Sequence, residues 1–198
     1  KAIREAIENP AHPYHDYILH IIHDIDPEVM KTLAVNFFIN ASLIGWSKQE
    51  ENRAKYNCNV PWAILLDPTS ACNLHCTGCW AAEYGNKLNL TFDEIDSIIQ
   101  QGKKLGVYMY IYTGGEPLTR KNDLIRLCEK HNDCVFLCFT NATLIDEKFA
   151  DEMLRVKNFI PAISLEGDEV STDSRRGQGT YQKVVRAMKL LQEKKLPY

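Results

Sequence analysis

The segment Cys72-Asn73-Leu74-His75-Cys76-Thr77-Gly78-Cys79 organises this chain, because it sets three cysteines at C-x3-C-x2-C spacing soon after the apolar run 62–66. Thiolates this close in sequence can face one metal centre with little loop-closure cost. Three ligands are one fewer than a closed structural site uses. If the three thiolates hold a [4Fe–4S] cluster, one iron keeps an open position at which a substrate or a second cofactor can react.

The residues of this segment leave two other interpretations open. Free cysteines are often buried in protein cores, yet three of them within eight positions of a polar loop do not resemble core residues. A zinc ion with His75 or a distant residue as its fourth ligand also fits the spacing. His75 is adjacent to Cys76, so we expect it to point away from a shared metal.

A second motif, Thr113-Gly114-Gly115-Glu116-Pro117, follows the apolar run 107–112. Glycines let a backbone pass close to a ligand and take φ and ψ values that other residues avoid. Pro117 ends the strand because it has no N–H for the ladder. Alone the motif is typical of a turn. One strand after a three-cysteine loop, it indicates a site where Glu116 and nearby carbonyls receive a ligand ammonium group.

The two motifs together resemble those of the radical S-adenosylmethionine (radical SAM) superfamily, from about residue 60 to the end of the chain. A third segment, Ile163 to Gly167 followed by Arg176 to Thr180, is similar to the one that handles the SAM ribose and carboxylate in SPASM-type peptide and sulfatase maturases. Two positions depart from the family. Gly78 stands where an aromatic residue often lies against adenine, with Trp80 two places further on, and Glu166 stands where Asp is frequent.

This resemblance implies a chemistry and a set of site residues. Cys72, Cys76 and Cys79 would hold the [4Fe–4S] cluster, whose open iron would chelate the amino and carboxylate groups of SAM. An electron from a donor such as flavodoxin or ferredoxin would cleave SAM to a 5′-deoxyadenosyl radical, which abstracts hydrogen from the substrate. The residues expected to bind SAM are Gly114, Gly115, Glu116, Pro117, Asn141, Ser164, Arg176 and Trp80.

Some of these residues have plainer interpretations. Asn141 is also typical of a simple turn, and Arg176 with Arg175 is also typical of a solvated surface loop. Cys134 and Cys138 share one face of a predicted strand, which favours buried structural thiols over ligands.

From residue 58 onward the chain alternates strand-like apolar runs with amphipathic helices. We predict strands at 62–66, 107–112, 134–139 and 160–165, the first covered on both faces. Right-handed crossovers make such a sheet parallel, so the motifs meet at its carboxyl end. The pattern predicts an α/β fold with four β/α units in 58–198, and the resemblance implies an incomplete (β/α)6 partial TIM barrel. Because four units leave an open strand edge, we expect at least two more units in the native protein.

Residues 1–57 are predicted to form an N-terminal helical segment and a polar linker, with Asp26-Pro27 starting one helix and 49–57 as the linker. The run Thr32 to Ser47 has no charged residue and is shorter than the about 20 apolar residues of a membrane span. We interpret it as a helix on the core or on a partner. Contact with a membrane or an apolar substrate is the less favoured alternative.

Composition limits the function classes. The 198 residues are 45% hydrophobic with a net charge of −3, which is ordinary for a soluble domain and gives no electrostatic argument for nucleic-acid binding. Seven cysteines without a pairing framework favour the reducing cytoplasm, and 1–5 lack the apolar core of a signal peptide.

Two classes of function remain. The first is a radical SAM enzyme that acts on a peptide or another unactivated substrate, with a lipid or apolar substrate as the alternative because of the uncharged run. The second is an iron–sulfur electron-transfer or binding module on the same fold. The Gly-Gly-Glu-Pro motif and the pair Ser164 and Arg176 favour the enzyme, since an electron carrier needs no SAM clamp.

Overall fold

The computed structural model describes residues 2–85 and 87–198, and its central feature is a parallel four-stranded sheet. The strands, β1 to β4, are Ala63–Thr69, Met109–Gly114, Val135–Thr140 and Phe159–Ile163. They pair in sequence order, each parallel to the next. At least one helix lies in each connection, so the predicted β/α alternation is confirmed, and the fold is part of a (β/α) barrel.

Within the described residues, five α-helices follow β1. They are α5 (Phe92–Leu105), α6 (Lys121–Lys130), α7 (Glu147–Val156), α8 (Glu169–Arg176) and α9 (Thr180–Glu193). The start of α5 is a capping box, in which the Thr91 hydroxyl accepts from the Glu94 N–H and the Glu94 carboxylate accepts from the Thr91 N–H. The Asp146 carboxylate accepts from the Phe149 N–H at the start of α7.

The core lies between one face of the sheet and these helices. Tyr112 of β2 and Phe136 of β3 are fully buried there and stack with ring centroids 5.6 Å apart. Cys134 and Cys138 are also fully buried, which agrees with their interpretation as structural thiols.

The other face of the sheet is largely open. Leu65 of β1 is 58% exposed and Phe139 of β3 is 48% exposed. The prediction that β1 is covered on both faces is therefore wrong. Alternate residues of a strand point to opposite faces; in the part of the chain that the structure describes, the face that carries Leu66 and Tyr112 is buried and the face that carries Leu65 and Phe139 is exposed.

The N-terminal part is helical almost throughout. It contains α1 (Ala2–Glu8), α2 (His15–Asp24), α3 (Pro27–Ala34), a π-helical segment (Val35–Ile44) and α4 (Gly45–Tyr56). The Asp26 carboxylate accepts from the N–H groups of Glu28 and Val29, so the predicted start of α3 is confirmed. The predicted linker is wrong, because nearly all of 49–57 belongs to α4. A boundary near residue 57 stays a prediction.

The last three N-terminal segments join into one helix of 30 residues, Pro27–Tyr56. By length and composition alone this helix could cross a membrane, whereas the sequence pattern indicated a run too short to do so. The uncharged run Thr32 to Ser47 is only the middle of this helix, which continues into turns with charged residues at both ends.

This long helix is fastened to the amino end of the sheet. The Asn36 amide donates to the carbonyls of Asn132 and Cys134 at 2.7 and 3.0 Å, just before β3. The Gln49 amide donates to the Gly106 carbonyl at 2.8 Å, just before β2. The opposite face carries exposed apolar side chains, namely Val35, Phe38, Ile39, Leu43, Ile44 and Trp46.

Candidate functional site

The carboxyl ends of the four strands gather the predicted site residues. The cysteine loop, residues 70–79, follows β1, and the residues from Gly115 to Pro117 follow β2. Asn141 follows β3, and Ser164 follows β4 with its N–H bonded to the Thr140 carbonyl at 2.9 Å. Segments far apart in sequence are therefore neighbours, as a parallel sheet requires.

The two glycines at the end of β2, Gly114 and Gly115, press directly against the start of the cysteine loop. The Gly115 N–H donates to the Thr69 carbonyl at 3.0 Å, and the Glu116 N–H donates to the Ala71 carbonyl at 2.8 Å. A Cβ at Gly115 would overlap the Ala71 carbonyl oxygen, and one at Gly114 would lie 2.6 Å from the Thr69 carbonyl oxygen. Gly114 also has a φ of +106°, which disfavours other residues. Close backbone packing therefore already requires both glycines.

Glu116 points into the protein. Its side chain accepts hydrogen bonds from the Leu118 N–H at 3.0 Å, the Thr140 hydroxyl at 2.6 Å and the Asn141 N–H at 2.7 Å. Burial raises the pKa of this carboxyl, and the three hydrogen bonds oppose that rise. Glu116 is only 1% exposed and its three donors all come from the protein, so its contact with a ligand ammonium group stays a prediction. The Glu116 side chain ties the loop after β2 to the loop after β3.

The Asn141 side chain also makes its hydrogen bonds within the protein. Its Oδ1 accepts from the N–H and the hydroxyl of Thr143 at 3.0 and 2.7 Å, and its Nδ2 donates to Asn73 Oδ1 at 2.9 Å. Asn73 in turn donates to the Thr143 hydroxyl at 2.8 Å. The turn interpretation of Asn141 therefore agrees with the structure, which also shows that Asn141 holds the cysteine loop through Asn73.

The three cysteines of the loop are partly buried thiols. Burial raises the pKa of Cys72, where the Leu74 N–H opposes the rise and the charges of Cys76 and Cys79 add to it. Burial also raises the pKa of Cys76, where Arg176 opposes the rise.

The donor side chains of the described residues do not converge on a single ion. Within residues 2–85 and 87–198, no three His, Cys, Asp or Glu side chains are grouped closely enough to hold one metal ion. A zinc site needs that convergence. In a [4Fe–4S] cluster with three cysteine ligands, each thiolate binds a different iron, so the sulfurs stay further apart. The zinc interpretation therefore gains no support from the geometry.

Helix α8, which the sequence patterns did not predict, brings two arginines against the cysteine loop. The Arg175 carbonyl accepts from the Thr77 N–H at 2.7 Å. The Arg176 guanidinium donates to Glu166 Oε1 through Nε at 3.0 Å and Nη2 at 2.6 Å, and Arg175 donates to the same oxygen at 2.9 Å. The Arg176 side chain is 15% exposed, so it is not a solvated loop residue.

A cavity of about 460 Å³ opens beside the end of β1. Trp80 and Tyr84 line it with their rings edge to face and centroids 5.7 Å apart. Gly114, Gly115 and Asp67 also line it. The structure thus brings Trp80 to the two glycines. Asp67 and Tyr84 were not among the predicted site residues, although a carboxylate directly after the apolar run of β1 was a usable signal.

Comparison with known proteins gives a family. The Radical SAM superfamily model matches residues 66–198. An uncharacterized protein of Archaeoglobus fulgidus is 32% identical over 145 residues, which cover 71% of this chain and 34% of that protein. The AdoMet-dependent heme synthase of Methanosarcina barkeri is 27% identical over 146 residues, which cover 71% of this chain and 42% of that protein. The chain thus spans less than half the length of either relative.

A solved structure agrees with this family match. The protein anSMEcpe with bound AdoMet matches at a TM-score of 0.59 and 27% identity, covering 68% of this chain and 41% of that one. The same protein has been solved with AdoMet and the peptide Kp18Cys.

Proposed function

This chain belongs to the radical SAM superfamily, whose members use SAM and a [4Fe–4S] cluster, and from that premise we propose its reaction. The chain is the core of an enzyme that cleaves SAM reductively and abstracts hydrogen from a peptide or another unactivated substrate. The observation that carries the proposal is the packing of Gly114 and Gly115 against the loop of three partly buried cysteines.

Each site residue then has a role. Cys72, Cys76 and Cys79 hold the cluster, which when bound supplies the electron that cleaves SAM. Asn73 and Asn141 fix the loop that carries the cysteines.

Other residues at the carboxyl ends of the strands orient SAM. Glu116 fixes the loop after β2, so that the backbone of Gly114 and Gly115 borders the cavity. Trp80 offers an aromatic wall for adenine. Arg176, whose guanidinium pairs with Glu166 in the structure, would hold the SAM carboxylate, and Ser164 would supply a hydroxyl.

A peptide is the substrate class with the most support. anSMEcpe, at 27% identity, has been solved with a peptide beside AdoMet. The heme synthase relative shows that family membership alone does not select a substrate. An electron donor such as flavodoxin or ferredoxin and a cytoplasmic location stay predictions.

A lipid or apolar substrate loses its main argument in this fold. The exposed apolar face of the helix Pro27–Tyr56 sits at the amino end of the sheet, because Asn36 and Gln49 bond to carbonyls just before β3 and β2. The cysteine loop lies at the other end, and a strand of six residues spans about 20 Å. The apolar face therefore does not line the proposed site.

A measurement of SAM cleavage distinguishes the proposed enzyme from an electron-transfer or binding module. Full-length protein is reconstituted with iron and sulfide without oxygen, reduced with dithionite and given SAM. We expect 5′-deoxyadenosine from the wild type and from Cys58→Ala, whose cysteine is exposed and outside the loop. Cys76→Ala removes a cluster ligand, so its rate should fall to background.

Two results would contradict the proposal. An intact four-iron spectrum without 5′-deoxyadenosine would favour the electron-transfer module. Zinc in place of iron after anaerobic preparation would remove the basis for the cluster assignment.

A further inference from the structure

The outward face of the helix Pro27–Tyr56 carries a row of side chains whose spacing is symmetric. We call this row the outward stripe. Its members are exposed, apart from a partly buried arginine at the end, and they are Glu28, Lys31, Val35, Phe38, Leu43, Trp46, Glu50 and Arg53. Successive members are 3, 4, 3, 5, 3, 4 and 3 residues apart, so the spacing is the same from either end. The midpoint lies between residues 40 and 41.

Local geometry keeps the outward stripe on one side of the helix. Steps of three and four residues return to the same face of an α-helix. The central step of five, from Phe38 to Leu43, lies within the π-helical segment, where the Gly45 N–H bonds to the Asn40 carbonyl five residues back. Phe38 is 59% exposed and Leu43 is 65% exposed, so both point outward. The π-helical segment therefore brings the two halves of the stripe into line.

The charges of the outward stripe are complementary about its midpoint. In an antiparallel pair of copies, each residue faces the one at the same distance on the other side of the midpoint. Lys31 then faces Glu50 of the second copy, and Glu28 faces Arg53 of the second copy. A twofold axis produces each of these contacts twice. Parallel copies would instead set each charge against an identical one, which is unfavourable.

Apolar side chains occupy the middle of the outward stripe. In the antiparallel pair Phe38 faces Leu43 of the second copy, and Val35 faces Trp46 of the second copy. Large exposed apolar patches mark interaction sites. Because the charged residues lie on both sides of this apolar centre, the stripe has the hydrophobic core and polar rim of a protein interface.

A lipid surface fits the outward stripe less well. The stripe holds two acidic and two basic residues, so it has no net positive charge. The cytoplasmic leaflet is negatively charged, and helices that lie on a membrane are rich in lysine and arginine. Such a surface would repel Glu28 and Glu50, whereas a second copy supplies a basic partner for each of them.

We infer that the outward stripe is the contact surface of an antiparallel homodimer, in which the partner is a second copy of this chain. The inference is independent of the proposed reaction, because the helix is attached at the amino end of the sheet and the cysteine loop lies at the other end. One helix from each copy buries a small area compared with obligate dimers. The pair therefore dissociates on dilution, and unfolding measured at about 1 µM reports on the monomer.

Sedimentation velocity of the full-length protein from about 1 to about 100 µM tests this inference. The wild type should change from monomer to dimer across this range. Lys31→Glu and Glu50→Lys each create two like-charged contacts per dimer, so each should raise the dissociation constant about tenfold.

Two further samples make the test specific. An equimolar mixture of Lys31→Glu and Glu50→Lys should dimerise again, because a glutamate then faces a lysine at both contacts of the mixed pair. Glu51→Lys is the matched control, since Glu51 is an exposed residue of the same helix outside the stripe, and it should dimerise as the wild type does. The thermal midpoint of each variant at about 1 µM confirms that it is folded.

Other outcomes overturn the inference. Dimers of equal stability in all variants would form through another surface. Loss of dimers in both single variants without recovery in the mixture would refute the antiparallel pairing. A wild type that stays monomeric would refute the dimer, and its sedimentation with vesicles of phosphatidylcholine and phosphatidylserine would identify a lipid surface as the partner instead.

Discussion

The two ends of the sheet are held together by polar contacts of different kinds. At the carboxyl end, buried Glu116 and Asn141 join loops to one another around a cavity that stays open. At the amino end, Asn36 and Gln49 join a helix to backbone carbonyls, and the far side of that helix is apolar and exposed. The first arrangement organises a site, whereas the second only attaches an element. Substitutions at the carboxyl end should therefore lower both stability and SAM cleavage, whereas substitutions at the amino end should lower stability alone.

The largest effect is expected from Glu116→Ala. Three donors, the N–H groups of Leu118 and Asn141 and the Thr140 hydroxyl, lose their acceptor in a buried place. We expect the free energy of unfolding to fall by about 3 kcal/mol, measured by urea denaturation. SAM cleavage should fall with it, because the loop after β2 is no longer tied to the loop after β3.

Glu51→Ala is the control for this variant, since Glu51 is an exposed residue of α4. This variant should leave the free energy of unfolding and SAM cleavage near the wild-type values. A Glu116→Ala protein that unfolds at the wild-type urea concentration would show that the three donors find other partners. The polar contacts at the two ends of the sheet would then differ less in their contribution to stability than the structure indicates.

A smaller effect is expected from Gln49→Met at the amino end. Methionine keeps much of the volume of this fully buried side chain but removes the donor to the Gly106 carbonyl. The free energy of unfolding should fall by about 1 kcal/mol. The rate of 5′-deoxyadenosine formation per folded molecule should not change, because the contact lies a strand length away from the cysteine loop.

Gln101→Met is the matched control, because the Gln101 side chain is exposed and donates to Ser97 of its own helix. If Gln49→Met slowed SAM cleavage per folded molecule, the two ends of the sheet would be coupled, and the contrast between them would have to be revised.

The sequence was most informative where local pattern and fold agree. The apolar runs predicted the four strands of the described sheet, because a short apolar run between turn signals is typical of a strand. Asp26 marked a helix start through a side chain that acts within one turn. The meeting of the motifs at one end of the sheet follows from parallel topology and needs no knowledge of side-chain contacts.

The errors arose where a side chain contacts residues that are distant in sequence. Residues 49–57 look like a linker because most of them are polar, yet Gln49 reaches Gly106, far along the sequence. The inward turn of Glu116 depends on Thr140 and Asn141, which only the folded sheet brings near. Helix α8 is short and polar, so periodicity missed it, although Asp168 capping the Ser171 N–H was a readable local signal.

The smallest effect is expected on the exposed face of the long N-terminal helix. Phe38 is 59% exposed, whereas its neighbour Phe37 packs edge-on against Trp62 with ring centroids 5.6 Å apart. Phe38→Ser should therefore change the free energy of unfolding by less than about 0.5 kcal/mol and leave SAM cleavage unchanged. Phe37→Ser, the matched control, should cost about 2 kcal/mol by urea denaturation because it removes packed surface. Equal losses from both variants in the full-length protein would mean that this apolar face is covered there, so the amino end would be a packed interface rather than an attached helix.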